Sequence, residues 1–107
     1  MCIFCKIINK EIPSQPVYED KEVLVIPDIN PQAPVHWLVI PKEHTENFTQ
    51  TPPESLAVCA RVIQKLVKER NIGDYRLVVN TGADAGQTVP HLHIHLLAGR
   101  ALSWPPG

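Results

Sequence analysis

Three of the five histidines in this chain of 107 residues, His91, His93 and His95, occupy alternate positions with leucine and isoleucine between them. A period of two is typical of a β-strand, because successive side chains point to opposite faces. Residues 91–97 are therefore predicted to form a strand with one imidazole face and one aliphatic face. Since the aliphatic face already provides burial, the imidazole face is available for chemistry. A neutral imidazole is a good nucleophile near neutral pH.

The same spacing argues against one metal ion held by all three histidines. A strand rises about 3.3 Å per residue, so the outer pair starts about 13 Å apart. Zinc–nitrogen bonds are about 2.0 Å long, and rings so far apart cannot converge on one ion. We expect the histidines to have different roles, with the central one reacting and its neighbours adjusting it.

A second group of possible metal ligands lies near the start of the chain. Cys2 and Cys5 form a C-x-x-C motif, which alone is weak evidence and is equally typical of a redox pair or of inert cysteines. Cys59 falls on the apolar face of a predicted helix, where we expect a core residue. Three cysteines are too few for a disulfide scaffold, so we expect a reducing cytoplasm.

Length and composition restrict the class of protein. A chain of this length corresponds to one domain, residues 1–107. Its formal net charge of −1 argues against a basic nucleic-acid-binding surface. We expect neither a membrane span nor a secretory signal, because no apolar stretch is long enough and the start lacks a basic segment followed by an apolar one. The eleven prolines lie singly or in pairs between periodic segments.

Apolar patterns along the chain predict the elements that must position these side chains. Residues 3–8 have apolar side chains at helical spacing and predict a short helix. Apolar runs on either side of the charged turn 19–22 predict a β-hairpin, and residues 37–40 and 76–79 predict two further strands. Together with the histidine strand, they make about five mostly antiparallel strands.

The clearest helix start is the segment Thr51-Pro52-Pro53-Glu54. Thr51 can act as the N-cap, Pro52 suits the first helical position, and Glu54 can complete a capping box. The apolar face that follows is formed by Leu56, Cys59, Ile63, Leu66 and Val67. The expected fold is α+β, with one long helix packed on a face of the sheet and a short helix near the start of the chain.

The histidine segment resembles the H-φ-H-φ-H-φ-φ signature of the histidine triad (HIT) superfamily, and other segments resemble its Hint branch in the right order over nearly the whole chain. These segments are 4–8, 11–13, 28–34, 36–44, 79–80, 86–87 and 104–107. The third histidine argues against the transferase branches, in which glutamine takes that place. The resemblance implies a HIT-like fold and a homodimer that hydrolyses P–N bonds in AMP or GMP conjugates.

The resemblance also implies roles for individual residues. His93 matches the nucleophile, and His95 and His36 match residues that handle protons and contact the phosphate. The implied nucleotide-binding residues are Asp28, Ile29, Asn80, Gly86, Gln87 and Thr88, together with His93 and His95. The implied base pocket consists of Ile3, Phe4, Ile7, Ile26 and Leu38, with Ile29 beside it.

Several of these residues have plainer interpretations. Asp28 can accept both ribose hydroxyls, but it can also cap a backbone amide in a turn. His36 can be an ordinary residue of a strand edge. Asn80, Gln87 and Thr88 offer amide and hydroxyl donors to a phosphate, and Gly86 allows backbone amides to approach closely. Residues 82–87 read alone are an ordinary turn.

With His44 and His91, the two cysteines complete a Cys₂His₂ set that resembles the zinc site of some bacterial members of the superfamily. Many Hint proteins lack the cysteines, so the implied zinc is structural and the chemistry needs no cofactor. Fraying of the chain near Cys2 opposes tight binding.

Two other functions remain open at this point. One is a binding module without turnover, which recognises a nucleotide or a partner. The other is a HIT hydrolase of dinucleoside polyphosphates, although the terminal segment 104–107 favours the Hint branch. In that branch the strand at 76–79 and the long helix pair across the dimer axis. The tail, residues 101–107, reaches the partner's active site and influences which amine is accepted.

Overall fold

Five β-strands and two α-helices are formed by residues 2–107, the part of the chain that this computed structural model describes. In chain order they are α1 (Ile3–Ile8), β1 (Tyr18–Glu19), β2 (Val23–Pro27), β3 (Val35–Pro41), α2 (Pro53–Glu69), β4 (Tyr75–Val78) and β5 (Ile94–Ala98). Neighbouring strands are antiparallel, and their order in the sheet is β1-β2-β3-β5-β4. The predicted α+β fold and β-hairpin are confirmed.

The long helix α2 covers one face of the sheet. Its buried residues are Cys59, Val62, Ile63, Leu66 and Val67, and they pack against Val25, Val39 and Leu96 among others. Leu56 of the predicted apolar face is only half-buried, and Val62 takes part in its place. Burial raises the pKa of the Cys59 thiol to about 11, as expected for a core cysteine. Neither helix within residues 2–107 is long and apolar enough to span a bilayer.

The predicted N-cap of α2 is wrong. The helix begins at Pro53, and Pro52 occupies the cap position without a side-chain hydrogen bond. Because Pro52 precedes another proline, its backbone is pushed to the extended region, with ψ of 140°. The Thr51 hydroxyl instead donates to the carbonyl of Asn47 at 2.6 Å and lies 2.6 Å from the hydroxyl of Thr45.

The histidine strand is shorter than the sequence predicts, because β5 begins at Ile94 rather than at His91. The amide of Leu92 donates to the carbonyl of Thr45 at 2.8 Å, outside the sheet. The carbonyl of His91 is occupied by the ring of His93. The single hydrogen of the Leu92 amide is therefore not available to the ladder, and only His95 of the three histidines lies within the strand.

Strand register brings His36 and His95 together. Leu38 of β3 is directly opposite His95 of β5, and His36 is opposite Leu97. Opposite residues share a face, as do residues two apart along a strand. His36 and His95 are therefore diagonal neighbours on the face that α2 does not cover.

Candidate functional site

The sheet face opposite α2 holds a small apolar cluster, into which α1 packs. Its buried members are Phe4, Leu24, Ile26, Leu38 and Ile40, with Ile7, Ile8 and Val89 packed against them. The ring of Phe4 meets that of His93 edge to face, with centroids 5.0 Å apart. The rings of His93 and His95 are 5.1 Å apart. The cluster thus adjoins the histidines.

The ring of His93 has one nitrogen committed and one free for chemistry. Its Nδ1 lies 2.8 Å from the carbonyl oxygen of His91. A carbonyl can only accept, so Nδ1 carries the proton and, in the neutral ring, Nε2 carries the lone pair. The side chain is buried, with 8% of the residue exposed. This is the tautomer that a nucleophilic Nε2 requires.

His36 links the backbone to His95 through a chain of hydrogen bonds. The amide of Gln32 donates to Nδ1 of His36 at 3.0 Å, so in the neutral ring Nε2 carries the proton. This Nε2 lies 2.9 Å from Nδ1 of His95, which therefore accepts. In neutral His95 the proton is consequently on Nε2. This chain of hydrogen bonds defines the tautomer of His95 and leaves its Nε2–H as a free donor.

Burial lowers the pKa of His95, and the neighbouring rings of His93 and His36 lower it further, while the carboxylate of Asp28 raises it. The net shift is downward. Neutral His95 is therefore favoured near pH 7, and its cation is a stronger acid than an ordinary imidazolium.

Asp28 follows β2, and each of its two carboxylate oxygens faces a different partner. Its Oδ1 accepts from the amide of Asn30 at 2.8 Å, which is the turn-capping contact that the sequence allows. Its Oδ2 lies 3.4 Å from Nε2 of His36 and 4.0 Å from Nδ1 of His95. These three side chains are close enough to surround a cation. However, the proton on Nε2 of neutral His36 excludes that nitrogen as a ligand, so the group forms hydrogen bonds instead.

Among the predicted phosphate-binding residues, Gln87 has a structural role. Its Oε1 accepts from the amide of Gly82 at 2.9 Å, and its Nε2 donates to the carbonyls of Glu46 at 2.6 Å and Val89 at 3.1 Å. Its backbone amide also donates to Gly82. Without a ligand, these donors hold the loop in place, and a contact of Gln87 with a phosphate stays a prediction.

The other predicted loop residues lie at or near the surface, and the amide of Gly86 donates to the carbonyl of Ala83 at 3.0 Å. Gly86 has φ of 95°, which favours glycine, and a Cβ placed there would lie 3.8 Å from Nδ2 of Asn80. The glycine is thus required by its backbone conformation rather than by crowding. Asn80 is half-buried, and Thr88 is exposed three residues before His91.

The predicted base-pocket residues are only partly brought together. Phe4, Ile26 and Leu38 are buried in one cluster and Ile7 packs against it. Ile3, in contrast, is 50% exposed on α1, and Ile29 is fully exposed after Asp28. Val89 packs against the cluster but was not predicted, because a lone valine in a loop gives no sequence signal.

Cys2, Cys5, His44 and His91 converge on one point and form a group that can hold a metal ion, with their ligand atoms all within 4.8 Å of one another. Nδ1 of His91 lies 3.4 Å from Sγ of Cys2 and 3.5 Å from Sγ of Cys5. Nδ1 of His44 lies 3.7 Å and 3.3 Å from the same sulfurs. The two nitrogens are 3.0 Å apart.

These distances fit a tetrahedral Cys₂His₂ site. Bond lengths of about 2.3 Å to sulfur and 2.0–2.1 Å to nitrogen place tetrahedral S and N ligands about 3.6 Å apart, and two N ligands about 3.3 Å apart. The ring of His91 is also prepared for ligation, because its Nε2 lies 2.8 Å from the carbonyl of Pro41 and so carries the proton. Burial lowers the pKa of His91, which keeps Nδ1 unprotonated.

The backbone partners of the histidines were not predictable from residue types. The amide of Gln32, the carbonyl of Pro41 and the carbonyl of His91 each fix one tautomer. Every residue has such groups, and only the register of β3 and the late start of β5 decide which of them meet a ring. The sequence signals the histidines but not what orients them.

Residues 9–102 match the HIT domain family. The chain therefore belongs to the HIT family. It is 50% identical over 109 aligned residues to an uncharacterized HIT-like protein of Synechocystis, covering 98% of this chain and 96% of that one. A crystal structure of a HIT family hydrolase from Legionella pneumophila superposes with a TM-score of 0.95 at 44% identity over the whole of both chains.

A third relative carries a more specific description. The structure of a hypothetical histidine triad nucleotide-binding protein from Sulfolobus tokodaii superposes with a TM-score of 0.83 at 39% identity, covering 91% of this chain and 68% of that one. The resemblance to the HIT superfamily that the histidine motif suggests is thus confirmed.

Proposed function

We propose that this protein is a purine nucleoside phosphoramidate hydrolase of the Hint type, which acts on AMP or GMP conjugates. The observation that carries the proposal is the 2.8 Å hydrogen bond from Nδ1 of His93 to the carbonyl of His91, because it leaves the Nε2 lone pair free for attack. Family membership and the relatives described as a HIT family hydrolase and as nucleotide-binding support the same class.

In the first step, Nε2 of His93 attacks the α-phosphorus and the P–N bond breaks. The ring becomes cationic, and the carbonyl of His91 stabilises the proton on Nδ1. The departing amine needs a proton, and His95 in its protonated form, the minor form near pH 7, gives up the one on Nε2 and keeps the one on Nδ1, which faces Oδ2 of Asp28. Asp28 is the nearby anion that favours this protonated form.

In the second step, water attacks the same phosphorus and the P–Nε2 bond to His93 breaks. Neutral His95 accepts a proton from the water, so both rings return to their starting protonation states. AMP or GMP is released. Positioning of the phosphorus supplies much of the catalysis in such transfers.

The proposed nucleotide site extends from the histidines onto the apolar cluster. Asp28 can accept ribose hydroxyls through lone pairs that Asn30 and His36 do not use. Phe4, Ile26 and Leu38 would contact the base. An apolar pocket offers few groups that read ring edges, so we expect weak discrimination between purines.

We also propose that the cluster of Cys2, Cys5, His44 and His91 holds a structural zinc ion, which takes no part in the chemistry. Burial, followed by the neighbouring Cys2, raises the pKa of the Cys5 thiol, so zinc binding should release protons. Protein purified without chelator or a histidine tag should contain about one zinc per chain, and a strong chelator should lower its melting temperature. A zinc content near zero that does not rise on adding zinc would contradict this.

A homodimer is the proposed assembly. Strand β4 is at the edge of the sheet, and two of its large apolar side chains are exposed, Tyr75 by 41% and Leu77 by 45%. An edge strand with exposed apolar side chains invites uncontrolled association unless it is covered. A two-fold pairing through β4 and α2 would cover it.

The test of the enzymatic function is the His93→Ala variant. Turnover of adenosine 5′-phosphoramidate should be abolished, whereas the dissociation constant for AMP should change by no more than about tenfold, or about 1.4 kcal/mol. Turnover like that of the wild type would refute the assignment of His93. AMP binding without turnover in the wild type would indicate a binding module, and turnover of dinucleoside polyphosphates alone would indicate the other hydrolase class.

A further inference from the structure

The short helix α1 connects the metal-binding cluster to the proposed nucleotide site. Cys2 precedes it and accepts the amide of Cys5 on its sulfur at 3.2 Å. Between these two ligands lies Phe4, which is buried and whose ring contacts His93 at 5.0 Å and His91 at 5.9 Å. A helix of six residues is not stable alone. Its position therefore depends on the cluster at one side and on apolar packing at the other.

His91 makes a second connection between the two sites. Its Nδ1 faces the two sulfurs, and its Nε2 is held by the carbonyl of Pro41. Its own carbonyl accepts the Nδ1 proton of His93. One residue thus provides a metal ligand and the hydrogen bond that defines the tautomer of the neighbouring ring.

We propose that metal binding at the cluster and nucleotide binding at the histidines are positively coupled, because both ligands stabilise the same conformation of α1 and His91. This inference rests on the proposed nucleotide site and names its regulation. With a metal bound, Cys2 and Cys5 are fixed, and α1 presents Phe4 and Ile7 as a formed wall of the base pocket. Without it, the nucleotide must itself order α1 on binding, which lowers the affinity.

Coupling between two binding equilibria is reciprocal. Zinc should therefore tighten the binding of AMP, and AMP should tighten the binding of zinc by the same factor. From the usual range for such couplings, we expect a factor of at least about five.

His44 provides the sharpest test, because it is exposed and separate from α1. Its contacts are with Cys2, Cys5 and His91, none of which is placed in the nucleotide site. His44→Ala should weaken zinc binding and, at limiting zinc, raise the AMP dissociation constant at least about fivefold, with recovery at saturating zinc. Glu43→Gln is the matched control, an exposed neighbour outside the cluster, and should change neither equilibrium.

Phe4→Leu tests the route of the coupling. It keeps all four ligands but removes the ring that contacts His93, so zinc should still bind and the effect of zinc on AMP affinity should shrink. Calorimetric titrations of AMP and of zinc into the wild type and these three variants measure both equilibria without relying on turnover. Circular dichroism of the metal-free proteins shows whether they remain folded.

Equal AMP affinity in zinc-loaded and metal-free wild type would overturn the coupling and leave the proposed function intact. Failure of the wild type to bind zinc, or complete unfolding of the metal-free protein, would also overturn it, because no local coupling then exists. Failure of zinc-loaded wild type to bind AMP would instead refute the nucleotide site and the coupling together.

Discussion

Replacement of His36 tests whether the hydrogen-bond chain to His95 matters for turnover. In the His36→Ala variant, Nδ1 of His95 loses the donor that lies 2.9 Å away, and the side chain of His95 is only 19% exposed. Loss of a partner for such a buried group costs about 1–3 kcal/mol. If the whole loss falls on the transition state, kcat/KM should decrease about 5- to 150-fold. Direct removal in His95→Ala should cost about 10²–10⁴-fold.

Two amide variants separate the hydrogen bond from the bulk of the ring. The nitrogen of a glutamine can take the place of Nε2 of His36 and donate to His95, so His36→Gln should remain within about fivefold of the wild type. An asparagine reaches only the place of Nδ1, so His36→Asn should accept from Gln32 but behave like His36→Ala in turnover.

The assay is kcat/KM for adenosine 5′-phosphoramidate, together with the pKa of His95 from NMR titration. That pKa should rise in all three variants, because the ring of His36 and the burial it provides lower it in the wild type. Melting curves would report any general loss of stability. Turnover of His36→Asn at the wild-type rate, or equal impairment of the folded Gln and Ala variants, would refute the proposed role of the Nε2 proton.

Three further expectations concern stability, assembly and specificity. The free energy of unfolding should fall as the pH decreases below about 6.5, by up to about 1.4 kcal/mol per pH unit from His95. The reason is that burial lowers the pKa of His95 in the folded chain, so the unfolded chain binds more protons. His95→Gln should flatten the profile of chemical denaturation against pH, and an unchanged profile would contradict this. Light scattering should give a mass near twice the 12.0 kDa of one chain, and Leu77→Arg should reduce this mass towards that of one chain. A measured mass of 12.0 kDa for the wild type at micromolar concentration would refute the dimer. Removal of Trp104 to Gly107 should change the ratio of kcat/KM between a small alkylamine conjugate and an amino-acid conjugate of AMP. An exposed tail with two prolines loses little entropy when it docks at a neighbouring site. The same ratio in the truncated and the intact protein would exclude the tail from the specificity site.

The sequence predicts this fold well where side-chain periodicity decides the structure. Alternation and helical spacing depend on which residues can be buried, so the hairpin, the five strands and the apolar face of α2 follow from the pattern. Predictions failed where the backbone conformation or a backbone hydrogen bond decides the structure. Thr51 lost its capping role because Pro52 and Pro53 set the backbone of the helix start, and β5 begins late because the amide of Leu92 donates to Thr45 outside the sheet.

The site was predictable to a similar degree. Histidines and cysteines are signalled by their types. The strand order accounts for the meeting of His36 and His95, whereas only the family resemblance linked the cysteines with His44 and His91. The loop contacts of Gln87 were not predictable, because a side-chain amide serves a ligand and a loop equally well, and residue types do not show that the carbonyls of Glu46 and Val89 approach it. The tautomers are likewise set by backbone atoms that residue types do not reveal.

The most direct test of the central claim, that His93 is the nucleophile, is the intact mass of the protein during turnover of adenosine 5′-phosphoramidate. Samples should be quenched within one turnover in alkaline denaturant, since a phosphorus–nitrogen bond to histidine is labile in acid. We predict a mass increase of one adenylyl group in the wild type, which peptide mapping assigns to His93 and which is missing in His93→Ala. Turnover by the His93→Ala variant, or an adduct that persists in it, would contradict the account.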